Sequence, residues 1–90
     1  VLSICLISEG TDLNVMIPPK QITQGAILQN AFGVILAHNH PSGDATPSNE
    51  DKFATSRVSQ CLKLFDIKLI DHIIVTSDSY FSMADKNLIN

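Results

Sequence analysis

The run Phe32-Gly33-Val34-Ile35-Leu36-Ala37 constrains the fold of this chain more than any other segment. A short apolar stretch with β-branched members reads as a strand, expected over 32–38 and buried on both faces, which calls for neighbouring strands and a covering layer. The strand then gives way to the polar stretch His38-Asn39-His40-Pro41-Ser42-Gly43-Asp44. Residues two apart in an extended chain point the same way and lie roughly 6.6 Å apart at ~3.3 Å per residue. His38 and His40 therefore offer two imidazoles on one side of a strand end, within reach of a single cation at roughly 2.0–2.1 Å per zinc–nitrogen bond.

A third ligand is expected from the helix that follows. Thr46 is a suitable N-cap, Pro47 fits the first helical position, and Asp51 then lies about one turn inside. The Pro-Ser-Gly-Asp loop bends the chain back so that Asp51 returns to the strand end. Two histidines and a carboxylate leave a fourth tetrahedral position for water, the open arrangement of a hydrolytic zinc site. Zinc is favoured over magnesium or calcium because imidazoles are poor ligands for hard cations. Other readings of the same letters stay open. Ser48-x-x-Asp51 also matches a capping box, in which Asp51 turns to a backbone N–H instead of a metal. A His-x-His pair on a strand is by itself often structural. A nuclease of the His-Asn-His kind is disfavoured, because there the residues are spread over a longer ββα unit.

The rest of the chain reads as one small domain over 1–90. A strand is expected at 1–8, a turn at Glu9-Gly10, a second extended piece at 11–17, and a helix at 19–30 with Ile22, Ala26 and Ile27 inward. Gly25 weakens that helix. A longer helix is expected at 47–65, with the apolar stripe Ala54, Val58, Cys61, Leu62 and Phe65. Strands follow at 68–76 and 80–83, separated by Ser77-Asp78-Ser79. The order β-β-α-β-α-β-β predicts an α/β fold, a mixed sheet with helices packed on it. His72 falls mid-strand, either as a hydrogen-bonded core residue or as a partner that orients a metal ligand. Alternation places it and Asp71 on opposite faces, so only one of them can serve the site. Ser42 and Asp44 read as solvated turn residues beside the metal, with a substrate-facing role as the alternative. Tyr80-Phe81 reads as strand packing.

Over the 90 residues the formal charge is −3, and the basic residues Lys20, Lys52, Arg57, Lys63, Lys68 and Lys86 are scattered. Nucleic-acid binding leans on clustered Lys and Arg, so direct contact with DNA is disfavoured. Cys5 and Cys61 are isolated and read as buried, reduced thiols of a cytoplasmic protein. Val1 to Ile7 is too short to span a bilayer and lacks a basic lead, so neither a membrane segment nor a signal peptide is expected.

The pattern His-Asn-His-Pro-Ser-Gly-Asp-x-x-Pro-Ser-x-x-Asp resembles the JAMM (MPN, or JAB) metallohydrolase signature. Together with Leu69-Ile70-Asp71-His72-Ile73-Ile74-Val75 and Tyr80-Phe81-Ser82-Met83-Ala84-Asp85, it makes essentially the whole chain similar to the bacterial RadC family. The resemblance implies the same layered, MPN-like α/β fold, zinc on His38, His40 and Asp51, and Ser48 as the residue that helps hold a developing oxyanion. It also implies a glutamate on an earlier strand that accepts a proton from the metal-bound water. No such residue is found, since Glu9 sits in Ser8-Glu9-Gly10-Thr11, which matches the family's turn after the second strand. The chain opens at Val1 directly in an apolar strand, so it reads as lacking an N-terminal strand that carries the base. An open sheet edge and a small core lead to the expectation of pairing between chains, a homodimer.

The function expected is a zinc-dependent metallopeptidase-like hydrolase acting on an amide or isopeptide carbonyl of a protein or peptide. The alternative is a catalytically silent MPN-like interaction module in DNA repair or recombination, which the missing glutamate favours. A nucleobase deaminase is excluded by the lack of Pro-Cys-x-x-Cys.

Overall fold

The structure, a computed structural model, describes residues 2–7, 18–40 and 42–89. The turn at Ser8–Gly10 with Glu9, the extended piece at 11–17, Pro41 and the side chain of Cys5 lie outside the described residues. The elements are β1 (Leu2–Ile7), α1 (Pro19–Leu28), β2 (Gly33–Asn39), α2 (Asn49–Lys63), β3 (Lys68–Val75) and β4 (Tyr80–Ser82). They build a mixed sheet in the order β1-β2-β3-β4, parallel between β1, β2 and β3 and antiparallel between β3 and β4.

Because β1, β2 and β3 are parallel and laid down in sequence order, each needs a crossover. Two right-handed crossovers stepping the same way across a sheet bring both helices to one face. The core follows from this: Ile22 and Ala26 of α1, Val34 and Leu36 of β2, Val58 and Leu62 of α2 and Leu69 of β3 form a single buried cluster. Each fully buried Leu or Val there stabilises the fold by ~1.5–3 kcal/mol. The shared face also corrects the reading of β2 as buried on both sides. Val34, Leu36 and His38 point into the helices and are buried, whereas Ile35 and Ala37 on the other face are only half-buried and Phe32 is exposed.

Helix ends account for two further differences. Asn30 takes φ 53°, and Ala31 N–H bonds Ala26 C=O at 2.9 Å. Asp66 takes φ 58°, and Ile67 N–H bonds Leu62 C=O at 3.0 Å. Both are left-handed terminations, and Asn and Asp tolerate that conformation better than other non-glycine residues. The α2 helix thus stops before Phe65, which is exposed rather than part of the core stripe, and Ala54 and Cys61 are half-buried. Ile27, expected inward, is 43% exposed. It lines an open groove between α1 and α2 together with Cys61, Leu64 and Phe65.

β3 contains one extra residue. Leu69 pairs with Val34, but Asp71 pairs with Ile35, so Ile70 is passed over and the alternation of β3 reverses there. Side chains change face when register shifts by one. His72 consequently sits opposite Leu36 on the helix-covered face, and Asp71 points to the other side. No helix among the described residues is long and apolar enough to cross a membrane.

Candidate metal centre

At the end of β2 the chain keeps its pairing for one more residue, His40 N–H bonding Val75 C=O at 3.0 Å. It then enters a series of small turns. Gly43 N–H reaches His40 C=O at 3.3 Å, and Gly43 itself takes φ +88°, a conformation that favours glycine. Ser42 Oγ accepts from Asp44 N–H at 3.4 Å, and Asp44 Oδ1 accepts from Thr46 N–H at 3.0 Å. The bonds from Thr46 hold the exposed Asp44 carboxyl below its ordinary pKa. Ser42 and Asp44 are thus exposed turn residues with a structural task. Their turns aim the Asp44 carbonyl at His40 Nδ1, 2.9 Å away. A carbonyl only accepts, so Nδ1 carries the proton, and Nε2 is left with the ring's lone pair.

The helix begins two residues later than expected: Ser48, not Thr46, is the N-cap, because Thr46 is already engaged with Asp44. Ser48 Oγ accepts from Asp51 N–H at 3.0 Å, and Asp51 Oδ2 accepts from Ser48 N–H at 2.9 Å. This is the reciprocal capping box. It does not draw Asp51 away from the histidines. Asp51 Oδ2 also lies 3.1 Å from His40 Nε2, and Oδ1 lies 3.9 Å from His38 Nδ1. The cap fixes the carboxylate, and its remaining lone pairs face the strand end.

His38, His40 and Asp51 can each offer a ligand atom within 4.8 Å of the other two, and among the described residues no other group of this kind occurs. Tetrahedral ligands at 2.0–2.2 Å from a zinc ion stand about 3.4 Å apart, so the set is of the right size. The chemistry of the donors agrees. With its proton on Nδ1, His40 presents a nitrogen lone pair to a carboxylate oxygen at 3.1 Å. Two acceptors at that distance repel unless a proton or a cation lies between them. The rings of His38 and His40 are nearly perpendicular, at 80° with centroids 4.8 Å apart.

Behind this cluster lies a polar pair within the core. His72 is fully buried, and its Nδ1 is 2.7 Å from Thr55 Oγ1. Thr55 donates its own proton to Asp51 C=O at 2.6 Å. Burial holds the His72 pKa down to about 4, with the neighbouring His38 adding to the shift. His72 is thus a hydrogen-bonded core residue, and its ring centroid stands 5.5 Å from that of His38. Asp71, on the opposite face, bonds Ser82 Oγ at 2.6 Å, Ala84 N–H at 3.0 Å and His72 N–H at 2.7 Å. It fastens β4 to β3, and none of these bonds reaches His38, His40 or Asp51. Tyr80 is exposed rather than packed, Phe81 is half-buried, and Cys61 is a free, half-buried thiol. Thr55 went unrecognised in the sequence. The available signal was helical spacing, since Asp51, Thr55, Val58 and Leu62 recur on the buried face of α2.

The family model of a RadC-like JAB domain matches residues 1–88. A curated relative from Chlorobaculum parvum, named as a UPF0758 protein, is 44% identical over 89 residues, covering 99% of this chain and 40% of the relative. The chain therefore spans about two fifths of the length of that relative.

Proposed function

The chain belongs to the RadC-like JAB domain family, and from that premise we propose that it is a zinc-dependent hydrolase domain directed at an amide or isopeptide carbonyl of a protein or peptide. One observation carries this reading. His40 Nε2 and Asp51 Oδ2 meet as two acceptors at 3.1 Å beside His38, an arrangement that a divalent cation resolves. Bound there, zinc supplies Lewis acidity and lowers the pKa of a coordinated water toward neutrality.

The chain's own residues have separate tasks. His38 and His40 would hold the ion from the end of β2 and Asp51 from the first turn of α2. Asp44 keeps His40 in the tautomer that leaves Nε2 for the ion. Ser48 accepts through Oγ from Asp51 N–H, so its own hydroxyl proton is still available. That proton is the donor proposed for the developing oxyanion, an interaction worth a few kcal/mol, on the order of 3.

Zinc titration by calorimetry, with metal content read by inductively coupled plasma analysis, tests the proposal. One zinc per chain is expected, with uptake lost in His38→Ala and Asp51→Asn. Wild-type protein that takes up no zinc, or a His38→Ala variant that binds it unchanged, would refute the site. Zinc uptake without cleavage of fluorogenic peptides or a lysine-linked isopeptide would favour a metal-holding docking module over the hydrolase.

A further inference from the structure

The geometry around Thr55 determines which nitrogen of His72 carries its proton. Thr55 has one hydroxyl proton and gives it to Asp51 C=O at 2.6 Å, so at the 2.7 Å contact with His72 its oxygen must accept. His72 is therefore the Nδ1–H tautomer, and its Nε2 is a lone-pair acceptor. Among the described residues that Nε2 is fully buried without a hydrogen-bond partner. An unmet acceptor in a core is costly, and each one calls for a physical account.

The reversal of alternation at Ile70 brings this acceptor to the face that carries His38. The His72 and His38 rings lie 5.5 Å apart, tilted by 34°. A metal-ligating imidazole uses one nitrogen for the ion and directs the N–H of the other to an acceptor, which sets the orientation of the ring.

We propose that His72 is a positioning residue for the metal centre: Thr55 fixes it as the Nδ1–H tautomer, and its Nε2 accepts the ring N–H of His38, orienting that imidazole toward the ion. This rests on the metal reading above. It makes Thr55 a joint between two ligands, since one hydroxyl ties the backbone of Asp51 to the ring behind His38. The acceptor that metal-binding histidines usually find in a carboxylate or carbonyl is here a neutral imidazole.

Nitrogen-15 NMR of the imidazoles, recorded on the whole chain with and without zinc, reads the tautomer directly. For His72 the expected result is a protonated Nδ1 and a pyridine-like Nε2 in the metal-free protein. Added zinc should move that Nε2 resonance in the direction of an accepted hydrogen bond. In competition with a chromophoric chelator, zinc affinity should fall 10–100-fold in His72→Leu, and fall also in Thr55→Val. His72→Gln, whose side-chain carbonyl is an acceptor, should recover part of the loss. A protonated Nε2 on His72, an Nε2 resonance indifferent to zinc, or unchanged affinity in a folded His72→Leu variant would overturn the proposal while leaving the metal site intact. Wild-type protein that binds no zinc would overturn both.

Discussion

Buried neutral in the core, His72 should make the metal-free protein unstable to mild acid. Its pKa is about 4 in the fold against an ordinary 6.5, with burial as the leading cause. Between those values the unfolded chain takes up a proton at this ring and the folded chain does not, so stability falls as pH drops from 6.5 toward 4. The full interval is worth about 3 kcal/mol at 1.36 kcal/mol per unit, and the part expressed by pH 5 is about 2 kcal/mol. With a urea dependence of roughly 1–3 kcal/mol per molar, that shifts the unfolding midpoint by about 1 M. The comparison that isolates His72 from the rest of the chain is with His72→Gln, which carries no ionisable ring. Urea unfolding followed by circular dichroism at pH 7.5 and pH 5, with chelator present, should show wild type losing more stability than His72→Gln by about 2 kcal/mol. Equal losses in the two proteins would refute the assignment of His72 as a neutral, desolvated ring.

Gly25→Ala should stabilise the protein by about 0.4–1 kcal/mol, because a Cβ at that helical position meets nothing within 4 Å; an unchanged or lower thermal midpoint would contradict it. Ser48→Ala should cost about 1 kcal/mol and Ser48→Gly only a few tenths, a difference read as several degrees of thermal midpoint. Equal midpoints for the two would argue against the capping box. Asp71→Asn weakens charge-assisted bonds to Ser82 and Ala84 that are worth about 1.5–3 kcal/mol each when one partner is charged. Faster amide exchange at Ala84 is expected, with little change in α1.

The local signals in the sequence were strong where a single element decides the outcome. The strand before His38, the long helix carrying Val58 and Leu62, and the His-x-His spacing all follow from periodicity or chain geometry that neighbours do not alter. Burial of Phe65 is overestimated from the sequence because α2 ends before it, and burial of Ile27 and of the second face of β2 because an apolar face alone does not say what covers it. Apolar residues mark surfaces that can be covered, but topology decides which are, and here both crossovers deliver their helices to the same side. The N-cap falls at Ser48, two residues past Thr46, because both are capable caps and the choice between them depends on Asp44 having already engaged Thr46.

The pair Asp71-His72 shows where reading along the chain stops short. Alternation requires that the two side chains face opposite ways, but it does not say which faces the helices. Counting from buried Leu69, an unbroken strand would place Asp71 inside and His72 outside. The extra residue at Ile70 exchanges them. A carboxylate in the core beside Leu36 would carry a desolvation penalty that a neutral imidazole bonded to Thr55 avoids. Outside, Asp71 finds Ser82 Oγ and two backbone N–H groups within 3.0 Å. The bulge is therefore the lower-energy register for this dipeptide, selected by the partners each side chain finds across the sheet. The same single-residue slip that relieves the core of a charge sets an uncharged ring behind His38.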